Sequence, residues 1–245
     1  MKTSKIGKHG IKLLTLNSPK TVKGESRQWA TGILYLAPSN LSGFNVCPRA
    51  TPGCIAACLN TSGHGAFKTV QAARVRKTRA FYADRESFMA TLVNDLELIV
   101  IRAQKKGFNV ACRLNGTSDI LWHRIPVTRH GKAFPSVHCA FPHVQFYEYT
   151  KQGAAKFLPR PDNLHITFSR SESNDSEARK MAQAGFNVAV VFDNLPASYY
   201  GLPVHNADSD DLRFLDPAFH VAGLMPKGRA KRDKSGFVVR KEFSN

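Results

Sequence analysis

The stretch Gly32-Ile-Leu-Tyr-Leu-Ala37, followed by Cys47-Pro-Arg-Ala-Thr-Pro-Gly-Cys54-Ile-Ala-Ala-Cys58, decides how the rest of the chain is interpreted. The apolar run predicts a buried strand. Three of the five cysteines lie within the loop 47–58, where two prolines and a glycine prevent a regular helix or strand. Residues 66–81 are rich in alanine, arginine and lysine and predict a helix. We therefore expect the cysteines where a first β-strand passes to a first long helix.

Apolar strands alternate with helical or irregular connections along the rest of the chain. Asp84 is suited to cap a second helix that ends at Gly107, and Ser173 to Ala184 predicts a shorter one. Strands are predicted at 32–37, 108–114, 144–149, 164–168, 187–192 and 220–225. This alternation predicts an α/β fold, a partial or small (β/α) barrel with a parallel sheet of about six strands.

The whole chain of 245 residues fits one domain with two basic extensions. We expect an irregular basic arm at 1–28, containing one short strand at 11–16, then the barrel-like domain at 29–226 and a basic C-terminal segment at 227–245. No run approaches the length of a membrane span, and the N-terminus lacks the apolar core of a secretion signal. An odd number of cysteines, three of them clustered, favours metal binding in the cytoplasm over a disulfide framework.

The cysteine loop predicts a metal site with Cys47, Cys54 and Cys58 as thiolate ligands. Three cysteines leave one coordination position open, as a catalytic zinc or a reactive iron–sulfur cluster requires. An iron–sulfur cluster is the favoured metal group, because zinc sites usually contain closer cysteine pairs. Two alternatives stay open: a closed zinc site with His64 as fourth ligand, and buried structural cysteines that bind no metal.

Polar clusters follow several predicted strands, at 115–119, 150–151, 169–172 and 193–194. In parallel α/β folds the carboxyl ends of the strands form the active site, so these clusters and the cysteine loop are expected on one rim. Asp119 follows a glycine and two hydroxyl residues, a suitable setting for a general base, a nucleophile or a ligand for a substrate amine. Asp193 has a similar position. For Asp119 the alternative role is a helix N-cap.

The net charge of +17 predicts a polyanionic partner, most simply nucleic acid. Two basic segments could contact a phosphate backbone, one in the helix after the cysteines and one near the C-terminus. The alternative is that both are solvated surfaces. The candidate residues are Arg74, Arg76, Lys77, Arg79, Lys227, Arg229, Lys231 and Arg232.

The order of these motifs resembles a known family. A strand, a loop of the form Cys-Pro-x5-Cys-x3-Cys, a basic helix, a strand ending in Asn115-Gly-Thr-Ser-Asp119, and later Phe146-Tyr-Glu-Tyr-Thr-Lys151 resemble the phage-associated gene product 88 family. The resemblance covers most of residues 30–195. It implies a phage protein located in the host cytoplasm, and it carries no settled activity.

The same order is similar to the radical S-adenosylmethionine enzymes. That similarity implies a four-iron four-sulfur cluster on the three cysteines, with S-adenosylmethionine bound to its open iron. It places Asn115, Thr117 and Ser118 at the cofactor's methionyl amine and Ser169 or Arg170 at its carboxylate or ribose. The cysteine spacing departs from the usual C-x3-C-x2-C, because six and three residues separate the cysteines here. With this spacing, the similarity supports the iron–sulfur cluster more strongly than it supports cleavage of S-adenosylmethionine.

Two further interpretations compete with this one. The chain also resembles the tRNA-guanine transglycosylase group, in which Asp119 or Asp193 would attack a sugar carbon during guanine or deazaguanine exchange in DNA or tRNA, beside a structural zinc. The third interpretation is a nucleic-acid-binding protein without enzymatic activity, stabilised by its metal. The motifs favour an enzyme, without identifying its substrate or any protein partner.

Overall fold

The computed structural model describes residues 11–240, the side chain of Pro19 excepted. Its helices are α1 (Pro19–Glu25), α2 (Pro52–Ala56), α3 (Lys68–Ala83), α4 (Arg85–Lys106), α5 (Val137–Ala140) and α6 (Asp175–Gln183). Its strands are β1 (Leu14–Thr15), β2 (Trp29–Leu34), β3 (Asn109–Arg113), β4 (Val127–Arg129), β5 (Lys132–Phe134), β6 (Gln145–Thr150), β7 (Leu164–Ser169), β8 (Asn187–Phe192), β9 (Ser198–Tyr199), β10 (Leu202–Asn206), β11 (Val221–Leu224) and β12 (Val238–Val239).

Ten of the described strands form one mostly parallel sheet in the order β1-β2-β3-β6-β7-β8-β11-β10-β9, with β12 beside β8. Six of them, β2, β3, β6, β7, β8 and β11, are parallel neighbours that follow one another along the chain. β10 extends this parallel set, whereas β1 and β9 are antiparallel to their neighbours. The sheet does not close into a barrel, because its end strands β1 and β9 do not pair with each other.

The sheet opens between β7 and β8. β7 pairs with β8 only through residues 187–189, and β12 pairs with β8 at Val191 and Phe192. β11 pairs along the other edge of β8. β12 therefore lies on the same edge of β8 as β7, beyond the last residue at which β7 pairs. The C-terminal segment thereby becomes part of the sheet at the carboxyl ends of its strands.

α4 covers one face of the sheet. It begins at Asp84, whose carboxylate accepts the N–H of Ser87 (2.9 Å), and it ends at Gly107, which has the left-handed φ of +66°. Buried residues of α4 pack in one core cluster with Val110 and Cys112 of β3. The opposite face of the sheet is covered by the segment 212–214 instead. The alternation of side chains along the strands therefore separates a helix-covered apolar face from a second, more polar face.

All six predicted strands are present, and so are the helices predicted at 66–81, 84–107 and 173–184, within a few residues at their ends. The α/β class is confirmed, as a ten-strand, mostly parallel sheet in the described residues. The strands β9, β10 and β12 and the hairpin of β4 and β5 were not predicted. In the described part of the chain, no helix combines the length and apolar character needed to cross a membrane.

The described part of the N-terminal arm differs from expectation. Its strand is present as β1, but residues 19–25 form the helix α1, because Ser18 and Thr21 form a reciprocal cap at its start. Leu13 and Leu14 are also buried in the main core. Residues 11–28 therefore pack as part of the domain. Residues 1–10 and 241–245 of the two predicted extensions lie outside the described residues.

Candidate functional site

A cavity of about 890 Å³ lies at the carboxyl ends of the parallel strands. Residues that follow β2, β3, β6 and β11 line it, together with Ser169 at the end of β7 and the segment after β10. All three cysteines of the loop 47–58 also line this cavity. The structure thus brings the cysteine loop to the same rim as the polar strand ends, as the parallel topology predicts.

The cysteines of this loop are half-buried free thiols. Burial raises the pKa of Cys47 to about 11, and burial also raises the pKa of Cys58. Negative charge on Cys58 and Cys54 also raises the pKa of Cys47, and negative charge on Cys54 raises the pKa of Cys58. Backbone N–H groups of Ser39 and Asn60 point at the sulfurs of Cys47 (3.4 Å) and Cys58 (3.5 Å). Such N–H groups would stabilise thiolates once the protons are lost.

Glu172 holds the cysteine loop in place. Its Oε1 accepts the N–H of Gly53 (2.6 Å) and its Oε2 accepts the hydroxyl of Thr51 (2.8 Å), and Thr51 in turn caps α2, which carries Cys54. A side chain at position 53 would collide with this carboxylate, because a Cβ there would lie 2.7 Å from it. The sequence signal for Glu172 was only its place in a polar cluster after a strand, so its role was missed.

The remaining two cysteines lie apart from the cavity. Cys112 is buried on the apolar face of β3, and Cys139 is exposed. Neither is among the described residues that line the cavity. Within residues 11–240, no group of three or more His, Cys, Asp or Glu side chains is arranged to hold a metal ion.

Asn115 organises the loop that follows β3. Its Oδ1 accepts hydrogen bonds from the hydroxyl of Ser118 (2.8 Å), the N–H of Ile120 (2.9 Å) and the indole N–H of Trp122 (3.0 Å). Its amide group donates to the carbonyl of Ile120 (2.9 Å). The side chain is 3% exposed, and its oxygen is surrounded by protein donors. Asn115 therefore stabilises the loop, and the loop presents its other residues to the cavity.

Glu148 fixes the start of this loop from the neighbouring strand. Its carboxylate accepts the backbone N–H groups of Leu114 (3.0 Å) and Asn115 (2.8 Å) and is buried. Burial raises the pKa of Glu148 to about 8. Thr117 also serves the loop, since its hydroxyl donates to the carbonyl of Leu36 (2.5 Å). Gly116 allows close packing, because a Cβ there would lie 2.6 Å from the ring of Tyr35.

Asp119 lies on the cavity wall and is 8% exposed. One carboxylate oxygen accepts the hydroxyl of Thr150 (2.7 Å), and the other accepts the N–H of Lys151 (3.0 Å). Burial raises the pKa of this carboxyl group, against the opposing effect of these hydrogen bonds. The oxygen that accepts from Thr150 also accepts from the side-chain amide of Gln152 (3.4 Å). The oxygen that accepts from Lys151 has a further lone pair, so Asp119 keeps the capacity to accept a hydrogen bond from a ligand.

A buried ion pair also lines the same cavity. Both Asp211 oxygens contact the guanidinium of Arg113 (3.1 Å), and one also contacts Lys20 (3.2 Å). Burial opposes ionisation of Asp211, but Lys20 and Arg113 outweigh that effect and hold its pKa well below the usual range. The hydroxyl of Tyr147 donates to the same carboxylate (3.1 Å). Nothing local to Asp211 in the sequence indicates these partners, because Arg113 lies 98 positions away.

The other candidate residues are distributed unevenly. Ser169 lines the cavity and accepts a hydrogen bond from Lys151 (3.3 Å), whereas the guanidinium of Arg170 turns to Asp175 (3.0 Å) and to the carbonyl of Phe237 (3.2 Å). Asp193 pairs with Arg240 (3.8 Å) and is not among the described residues that line the cavity. Asp119 and Asp193 therefore do not line the same cavity.

The basic residues of α3 divide between its two faces. Arg74 is 7% exposed, and its guanidinium lies over the ring of Tyr35 at 4.9 Å. Lys77 is half-buried, donates to the carbonyl of Leu13 (2.6 Å), and has its pKa lowered by burial to about 8. Both side chains line the cavity, whereas Arg76 and Arg79 are exposed.

The basic residues of the C-terminal segment lie close to the cysteine loop. The short 3₁₀ helix 228–232 packs on the one at 59–61, and a Cβ at Gly228 would collide with Ser62. Lys227 lines the cavity and pairs with Asp208 (2.5 Å). Three of the predicted phosphate contacts in this segment, Arg229, Lys231 and Arg232, are exposed.

Comparison with known families gives one result of broad coverage. The family model described as Gene product 88 matches residues 9–241. No match was found among curated proteins or among solved structures.

Proposed function

Because the chain belongs to the gene product 88 family, whose description states no activity, we propose its function from the site itself. The protein binds an iron–sulfur cluster through Cys47, Cys54 and Cys58, in a partial barrel similar to that of radical S-adenosylmethionine enzymes. It acts as an enzyme on or near nucleic acid.

The observation that carries this proposal is the position of the cysteine loop in the strand order. The loop follows β2, the first of six parallel strands that are adjacent in the sheet in chain order. Among the parallel strands, β10 alone departs from chain order, because it lies beyond β11 at the end of the set. Six successive strands without reversal are typical of barrels, whereas doubly wound sheets reverse direction at a switch point in the middle of the sheet. The loop after β3 and Ser169 after β7 line the same cavity. This order supports a partial barrel with its cofactor site at the carboxyl ends of the strands.

The thiols of the loop suit an iron–sulfur cluster chemically. Cysteine thiolates are the usual ligands of such clusters, and N–H groups directed at sulfur tune their reduction potential. A four-iron cluster is larger than a single ion, so its thiolates need not converge on one point. Three protein ligands would leave one iron free for a cofactor. The group would supply electron transfer and an open coordination position at this wall.

The protein's own side chains would bind and orient the small-molecule cofactor. Asp119 can accept a hydrogen bond from an amine, and Lys151, which donates to Ser169, can pair with a carboxylate. Asn115 holds the loop between them rather than contacting the ligand directly. The volume of about 890 Å³ lies within the usual range of small-molecule sites.

Nucleic acid is the partner that the surface charge favours. The 3₁₀ helices at 59–61 and 63–66 connect the cysteine loop to α3, and the C-terminal segment packs beside them. Arg76 and Arg79 from α3 and Arg229 and Lys231 from the C-terminal segment are all exposed. These cations can neutralise phosphates near the cavity.

Binding of S-adenosylmethionine tests this proposal. The protein would be reconstituted with iron and sulfide without oxygen and titrated with labelled S-adenosylmethionine by equilibrium dialysis. We expect saturable binding that requires the cluster and that weakens about tenfold in Asp119→Asn, because one charge-assisted hydrogen bond is lost. Asp193→Asn is the matched control and should bind normally. Equal binding with and without the cluster, or none to the reconstituted protein, would refute the cofactor assignment.

A further inference from the structure

A second cavity of about 560 Å³ adjoins the first at the carboxyl edge of the sheet. The two share Ala50 and Lys151, so Lys151 stands between them. The second cavity is formed by the cysteine loop, the end of β6 and the loop between β7 and α6. Helix α6 contributes Ser176, Glu177 and Lys180 to its lining.

The charge of this cavity favours an anion. Three cations, Arg49, Lys151 and Lys180, line it, and Glu177 is the one carboxylate among the described lining residues. Glu177 is also paired with Arg49, at an N–O distance of 3.5 Å. The other polar lining residues carry hydroxyl or amide groups, which are the neutral groups that usually accompany cations around phosphate oxygens.

The start of α6 adds backbone donors that the described N-cap side chain does not satisfy. Asn174 occupies the N-cap position but makes no capping hydrogen bond, because its Oδ1 accepts the N–H of Ser171 (2.6 Å) instead. The first-turn N–H groups of a helix have no partner within the helix, and its dipole favours negative charge at this end. Asp175 does not occupy this position, since its carboxylate pairs with Arg170 and Tyr200.

Ser171 gives an independent indication of a ligand. It is 0% exposed and lines the cavity, yet its hydroxyl has no hydrogen-bond partner among the described residues. Burying a hydroxyl without a hydrogen-bond partner is unfavourable, so such groups are usually satisfied. A phosphate oxygen in the cavity would satisfy it.

We propose that this second cavity binds the phosphate group of a nucleotide unit, with Lys180, Arg49 and Lys151 as cations and Ser171 as a hydroxyl donor. This site deepens the proposed function, because a phosphate held beside Lys151 places the attached sugar and base next to the cavity that contains the cysteines. It stands on different residues from the cluster, and its test does not require iron.

Calorimetric titration of the full chain before iron reconstitution tests the site. The probes are inorganic phosphate, adenosine 5′-monophosphate, a short 5′-phosphorylated oligonucleotide, and adenosine as the phosphate-free control. We expect saturable binding of the phosphorylated probes and none of adenosine. Tighter binding of the oligonucleotide than of the mononucleotide would identify nucleic acid as the source of the phosphate, and equal binding would identify a free nucleotide.

Three charge variants make the test specific. Lys180→Gln should weaken phosphate binding about tenfold, as expected for a lost charge-assisted hydrogen bond. Glu177→Gln should strengthen it roughly two- to fivefold, because it removes the competing carboxylate and releases Arg49. Arg179→Gln removes a charge from the same helix at a position outside the cavity lining and should leave binding unchanged. A gain of affinity in Glu177→Gln cannot arise from misfolding.

Ser171→Ala separates a ligand-binding hydroxyl from a structural one. It should weaken phosphate binding while leaving the free energy of unfolding unchanged or increased, because the hydroxyl has no protein partner to lose. The proposal is wrong if phosphate does not bind, if Arg179→Gln weakens binding as much as Lys180→Gln, or if Ser171→Ala lowers stability without affecting affinity.

Discussion

Replacing Asn115 by alanine is expected to destabilise the protein by about 3–5 kcal/mol. The side chain makes four hydrogen bonds, and the variant leaves three donors and one carbonyl without this partner. The indole N–H of Trp122 is the most costly of these, because Trp122 is 1% exposed and water cannot replace the lost acceptor. An unsatisfied buried donor costs about 1–3 kcal/mol, and the N–H and carbonyl of the half-buried Ile120 add about 1 kcal/mol each. The hydroxyl of Ser118 adds little, because it lines the cavity and can rotate to another acceptor.

Urea denaturation measures this loss, with far-ultraviolet circular dichroism as the signal. A loss of this size is a large part of the total stability of a typical domain, about 5–15 kcal/mol. Asn194→Ala, at an exposed position after β8, is the control and should change stability by less than about 0.5 kcal/mol. A change below about 1 kcal/mol in Asn115→Ala would refute the assignment of Asn115 as the residue that holds the loop.

Two further predictions concern the ends of the cavity. Asp211→Asn should cost about 3–5 kcal/mol at neutral pH, because it leaves the buried Arg113 and the half-buried Lys20 without their counter-ion. Because the pKa of Asp211 is depressed in the folded protein, the stabilisation by the ion pair is present above pH ~4 and is lost as the pH falls below it. Urea denaturation at a series of pH values should show that the difference in the free energy of unfolding between wild type and Asp211→Asn shrinks in acid. A difference that stays constant with pH would contradict the ion pair. Glu172→Gln should weaken retention of reconstituted iron about tenfold in competition with a chelator. The variant loses one of the two carboxylate oxygens that accept hydrogen bonds from the cysteine loop. Glu86→Gln changes an exposed carboxylate and is the control. Equal iron retention in both variants would contradict the assignment of Glu172 as the residue that holds the cysteine loop.

The sequence alone predicted the parallel part of the fold because each of its strands is a short apolar run with polar residues at its carboxyl end. β10 was missed because Leu202-Pro-Val-His-Asn206 contains a proline and polar residues and lies largely at intermediate or full exposure. β12 is only two residues long, and its place depends on the opening between β7 and β8. Such strands are defined by their neighbours in space, not by their own composition.

The same distinction applies to the site. The cysteine loop and the polar residues after β3 could be identified because they are contiguous in the chain. Glu172 and Asp211 could not, since Glu172 contacts Thr51 across 121 positions and Asp211 contacts Arg113 across 98. Asn115 was identified as a cofactor contact, yet the hydrogen bonds of its side chain all remain within its own loop. Sequence position indicated where polar groups gather, but not which of them serve the loop itself.

The most direct test of the account is metal analysis with an ultraviolet–visible spectrum on protein purified without oxygen. We predict about three to four irons per chain and broad absorption near 400 nm, the charge-transfer region of thiolate-bound clusters. Both should be lost in Cys47→Ser, Cys54→Ser and Cys58→Ser and retained in Cys139→Ser, which changes an exposed thiol outside the cavity. A colourless protein containing one zinc per chain, before and after reconstitution with iron, would contradict the iron–sulfur assignment.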